Sequence, residues 1–132
     1  MNKTRSALGL IGGVILILSS GAHSILGWRA MSGELAKTNA PAELVTGLKV
    51  GWIFGGPVML VFGILTIVTF ARRYRGEAAS TLAPALIAAS YLGFAAWAAV
   101  ETSFDPFFFL FLIPGVLLAL ASAGGPAPGT NP

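Results

Sequence analysis

Twelve of the thirteen charged side chains lie between four long apolar stretches, and Lys49 alone lies inside one. A bilayer tolerates charges at helix ends and little else, so this spacing predicts a chain whose solvent is mostly lipid. The stretches are Ala7–Trp28, Leu44–Phe70, Ala78–Val100 and Pro106–Ala123. Each is near the ~20 residues that a membrane-spanning helix requires, the last being the shortest. The expected fold is all-α: a polytopic integral membrane protein with four transmembrane helices, about 7–28, 42–70, 78–100 and 106–123, in one compact bundle. Residues 1–123 form that domain and 124–132 read as a flexible, uncharged tail after the Gly124-Gly125-Pro126 stop.

The spans consume most of the 132 residues, which are 55% hydrophobic and 10% charged, and leave no room for a soluble catalytic domain. A net charge of +3 does not point to nucleic acid, because the basic residues flank helices instead of forming a broad patch. Lys3 and Arg5 precede the first span, and Arg72, Arg73 and Arg75 follow the second. Arg29 and Lys37 are offset by Glu34 and Glu43, and the third connection holds only Glu101 and Asp105. Positive charge concentrates on cytoplasmic loops, so both termini and the Arg72–Glu77 loop are expected inside, in a bacterial inner membrane. Met1–Arg5, the apolar run and Ser20-Gly21-Ala22 have the outline of a signal peptide. The apolar run continues to Leu26 and Trp28, so an uncleaved span is the expectation. With no cysteine, disulfides, thiolate nucleophiles and cysteine-ligated iron–sulfur clusters are excluded.

Local signals refine the boundaries. Trp28 suits the outer interface as the end of helix one, and Arg29–Ala42 is long enough for a short surface helix with Met31 and Leu35 on one side. Asn39-Ala40-Pro41 reads as a cap followed by a first-turn proline, and Asp105-Pro106 as the same device for helix four. Pro57 after Gly55-Gly56 and Pro114 before Gly115 are expected mid-helix kinks, each freeing a carbonyl. Gly47, Gly51, Gly55 and Gly63 recur at the spacing of a close-packing ridge, matched by Ala85, Ala89 and Gly93 on helix three. Gly9 and Gly13 on helix one, and Gly115, Ala119 and Ala123 on helix four, offer further small surfaces.

Chemistry-bearing residues are few. Lys49, about 12 Å into helix two at ~1.5 Å per residue, either snorkels to the outer headgroups or pairs with Glu101 or Asp105. His23 shares that outer zone, bonded to a carbonyl or serine or serving as a titrating group. It is the weak cofactor candidate, since haem lacks a second histidine. His23, Lys49, Glu101 and Asp105 thus form the candidate polar outer-leaflet cluster. Tyr91 requires an acceptor, with a carbonyl freed by Pro57 available to it, and the phenylalanines from Phe104 to Phe111 face lipid or a partner. No metal-ligand cluster, phosphate loop or Ser/His/Asp set is present in the sequence, and no catalytic residue is assigned.

In size and helix number the chain resembles the small multidrug-resistance transporters, and in layout the DoxX-like and other small four-helix bacterial membrane proteins. The transporter family depends on a glutamate inside its first helix. Here that helix holds His23 and no carboxylate, so the resemblance does not carry proton-coupled export with it. The expected role is a non-enzymatic membrane subunit or accessory packing module, bound to lipid and to other membrane proteins or a second copy. A small transporter or channel is the alternative, and a haem, quinone or pigment carrier the next.

Overall fold

The structure is a computed structural model describing residues 2–123; the expected tail at 124–132 lies outside the described residues. Every regular element among them is helical: α1 (Lys3–Gly21), a π-helical turn (Ala22–Gly27), α2 (Trp28–Lys37), α3 (Ala42–Tyr74), α4 (Leu82–Glu101), a 3-10 segment (Pro106–Phe111) and α5 (Leu112–Ser122). Three helices are long and apolar enough to cross a membrane: Lys3–Lys37 with 35 residues, Ala42–Tyr74 with 33 and Leu82–Glu101 with 20. Pro106–Ser122 is a shorter apolar helix.

Several boundaries differ from expectation for identifiable reasons. The first helix does not end at Trp28, because no breaker stands there; it runs on through α2 as one body. The stop comes at Asn39, whose φ of 52° is the left-handed conformation that closes a helix. Asn39 therefore ends α2 instead of capping α3, and Pro41 is the N-cap of α3, not its first turn. The third helix begins at Leu82, not at Ala78. Gly76, at φ 90°, closes α3, with the Glu77 amide donating to Arg72 O and the Gly76 amide to Arg73 O. Arg73 is buried and donates from Nη1 to Ala79 O at 2.9 Å, holding residues 75–81 as a link in which no helix begins. Asp105 does accept from the Phe107 amide at 2.9 Å, as its capping role requires.

Pro114 is not mid-helix. The chain winds as a 3-10 helix up to Phe111, so Pro114 falls in the first turn of α5, where amide donors lack intrahelical partners anyway. Across Pro57, α3 stays helical without interruption from Ala42 to Tyr74.

Successive helices run antiparallel. Gly9 meets Phe70, Gly13 meets Gly63, and Gly12 meets Leu118; Tyr91 and Leu92 meet Gly115. Lys3 Nζ lies 5.9 Å from the Tyr74 ring centroid, so the start of α1 and the end of α3 share one basic end of the bundle. The core gathers Leu16, Phe70, Ile87, Ala88, Tyr91, Leu118 and Ala121 from all four long elements. Outside it, large side chains such as Leu18, Phe54, Leu82 and Val100 are about two-thirds exposed. An apolar exterior of this extent is compatible with insertion of these helices into a membrane.

Candidate functional site

Helices in lipid gain little from burying apolar area against each other, so close backbone approach and polar contacts must hold them. The crossing of α1 and α3 supplies both. A Cβ placed on Gly63 would lie 2.9 Å from Gly13 O and 3.0 Å from Ile17 N, both backbone atoms. About two turns further out, Gly56 faces Ser24 and Ser20 O, and Gly55 faces the His23 ring. A π-helical turn widens the helix by one residue and re-aims its side chains, and such turns occur often at functional positions. Here it carries His23 and turns it onto α3.

His23 and Trp52 grip one another. His23 Nε2 lies 3.0 Å from Trp52 O, and Trp52 Nε1 donates to His23 O at 2.8 Å. Their rings stack at 4.7 Å with planes 6° apart. A carbonyl only accepts, so Nε2 carries the proton of this contact. Pro57 provides no amide for Ile53 O, and the Gly55-Gly56 pair before it lets α1 close in on the neighbouring carbonyl, Trp52 O. Sequence reading missed Trp52. Its only sequence signal was a position one turn ahead of Gly-Gly-Pro, and nothing in spacing links positions 23 and 52.

Beside this clamp is a cleft of about 280 Å³. The His23 ring and Gly55, Val58 and Met59 of α3 form one side, and Ser90, Tyr91 and Phe94 of α4 the other. Phe111 closes the end, packed edge-on to Phe94 at 4.8 Å and tilted against Tyr91 at 6.2 Å. The Ser90 hydroxyl donates to Leu86 O within its own helix. Tyr91 is 9% exposed, and its hydroxyl has no hydrogen-bond partner among the described residues, not even the carbonyl at Pro57. Comparison of the chain with protein-family models, curated proteins and solved structures returns no match. What the chain does must be read from its own geometry.

The other candidate residues are unpaired among the described residues. Lys49 is exposed on α3 and Glu101 on the last turn of α4, and neither they nor Asp105 form an ion pair among the described residues. His23 bonds to Trp52 O, and no hydrogen bond joins it to Lys49, Glu101 or Asp105 among the described residues. The glycine ridge also divides. Gly55 and Gly63 meet α1, whereas a methyl added at Gly47, Gly51 or Gly93 would have nothing within 4 Å. On α4 the buried row is Ala88, Tyr91, Ala95 and Ala98, about 140° round the helix from Ala85, Ala89 and Gly93 at ~100° per residue. No group of three or more histidine or acidic side chains suited to a metal occurs among the described residues.

Proposed function

We propose that this chain is a small non-enzymatic integral membrane protein that works as a packing subunit of a larger membrane assembly, with other membrane proteins or a second copy on its α3 face. One observation carries this reading. The first ten residues of α3, Ala42–Gly51, are exposed apart from half-buried Val45, and a methyl added at Gly47 or Gly51 there would have nothing within 4 Å. Small residues in that register permit close approach of another helix, and in lipid such a face is only fully used when one arrives.

In this reading the fourth span is Pro106–Ser122. Its 3-10 half rises ~2.0 Å per residue, so 17 residues reach about 28 Å, near the ~30 Å hydrocarbon thickness. Lys3, Arg5, Arg72, Arg73 and Arg75 sit at one end of the bundle, which supports an orientation with both termini in the cytoplasm of a bacterial cell. A transporter or channel has less support, since Lys49, Glu101 and Asp105 form no ion pair among the described residues. The test is extraction at native expression level in mild detergent, with the particle mass measured by light scattering. An assembly larger than one chain is expected, and Gly47→Leu with Gly51→Leu should reduce it to the monomer. A native chain that runs as a monomer throughout refutes the reading.

A further inference from the structure

We infer that the cleft between α3 and α4 binds a neutral, lipid-soluble ring carrying a hydrogen-bond-accepting carbonyl, the chemistry of a quinone. This stands apart from the packing role and needs no partner chain. Three features of the cleft select the ligand.

The first is charge. No Lys, Arg, Asp or Glu lines the cleft. A cation would find no carboxylate there and an anion no basic group, and a lone charge in so apolar a space is prohibitive. The ligand is neutral.

The second is the Tyr91 hydroxyl. Tyr91 is nine-tenths buried in the middle of α4, lines the cleft, and donates to nothing among the described residues. Among the described residues, the buried side-chain oxygens that are fully shut off without a partner are Thr66 Oγ1 and Ser122 Oγ; the Tyr91 hydroxyl is not one of them, so it keeps some accessible surface on a residue that lines the cleft. Water is scarce at this depth, and an unmade hydrogen bond is expensive. Ser90 and His23, the other polar residues of the cleft, turn their hydrogen bonds elsewhere: the Ser90 hydroxyl donates to Leu86 O, His23 Nε2 to Trp52 O, and neither residue bonds the Tyr91 hydroxyl. The hydroxyl therefore stands without an acceptor among the described residues, and a ligand carbonyl supplies one.

The third is shape. About 280 Å³ lies at the lower limit of small-molecule clefts, ~300–1,000 Å³, and admits one or two fused rings. Phe94 and Phe111 offer edge and face contacts to a flat ring. Where α3 faces α4, the long helices pack more loosely than at the α1–α3 or α4–α5 seams. A tail on such a ring passes out through that seam into lipid.

The probe is menadione, a two-ring quinone without a long tail, titrated into the purified full chain in mild detergent. Trp28→Phe and Trp97→Phe leave Trp52 as the single tryptophan, stacked on a residue that lines the cleft. Saturable quenching of Trp52 is expected. Tyr91→Phe keeps the ring and removes only an unpartnered hydroxyl, so the fold is retained while affinity falls about threefold to tenfold, the value of one hydrogen bond. Val58→Phe fills the space and abolishes saturation. 2-Methylnaphthalene, the same shape without carbonyls, should not distinguish the native chain from Tyr91→Phe. Quenching that rises linearly without saturation, or equal menadione affinity in the native chain and Tyr91→Phe, overturns the assignment.

Discussion

Gly63→Ala should destabilise the bundle, whereas Gly51→Ala on the same helix should not. At Gly63 the added methyl would lie 2.6 Å from Ile17 Cγ1, 2.9 Å from Gly13 O and 3.0 Å from Ile17 N. The isoleucine branch can rotate, but the two backbone atoms belong to α1 and move only if the helices separate. Relief to ordinary contact near 3.5 Å requires α1 and α3 to part by about half an ångström, loosening the whole seam from Gly9 to Ser24. Overpacking of this kind costs about 1–3 kcal/mol. At Gly51 nothing lies within 4 Å. Both substitutions replace glycine by alanine inside α3, so the gain in helix propensity, up to ~1 kcal/mol, is common to them and cancels in the difference. That difference therefore reads the crossing itself, at about 1–3 kcal/mol. Reversible unfolding of the monomer by SDS in mixed micelles, followed by helical circular dichroism, measures it. Equal stability of the two variants would refute a Gly13–Gly63 crossing.

Three further outcomes are expected. His23→Ala and Trp52→Ala should be non-additive, with a coupling of about 0.5–1.5 kcal/mol in a double-mutant cycle, because either one removes the ring stack that the two side chains share. Glu77 accepts from Arg75 Nε at 2.8 Å and Arg72 Nε at 3.1 Å, and these bonds hold its carboxyl below the usual 4.5. A lowered folded-state pKa stabilises above the unfolded value and is lost as pH falls through the lowered one, so native stability should decline below about pH 4.5 relative to Glu77→Gln, whose titration between about pH 6 and 3 lacks this component. In a chain without cysteine, Ser32→Cys and Thr102→Cys should react with a membrane-impermeant maleimide on intact spheroplasts, and Ala78→Cys only after lysis; the opposite pattern inverts the orientation.

The glycine ridge shows how far periodicity reaches. A four-residue repeat advances ~400° per step, so it drifts ~40° each time on a straight helix, and Gly47 ends ~160° round α3 from Gly63. Only Gly55 and Gly63 meet α1, and the contact is continued by Gly56, which lies outside the repeat. On α4 the alanines are so abundant that two small-residue rows exist, and spacing alone could not choose between them. Lys49, Glu101 and Asp105 share an outer level in the sequence order, yet depth along the bundle does not fix azimuth, and the structure leaves them unpaired among the described residues.

What the sequence determined by itself is everything that depends on one helix in one solvent. Charges kept, Lys49 apart, to the ends of apolar runs near membrane length, and the capping carboxylate at Asp105, follow from the cost of polar groups in an apolar surround, which each segment meets alone. Tertiary structure decided which faces meet. The His23–Trp52 clamp, the Gly13–Gly63 crossing and the cleft that leaves Tyr91 without an acceptor join residues far apart in the chain. Lipid is nearly indifferent to which apolar face a helix presents, so no hydrophobic pattern encodes those pairings. They are set by a few small residues, one widened turn and one proline, whose meaning appears only when two helices are brought together.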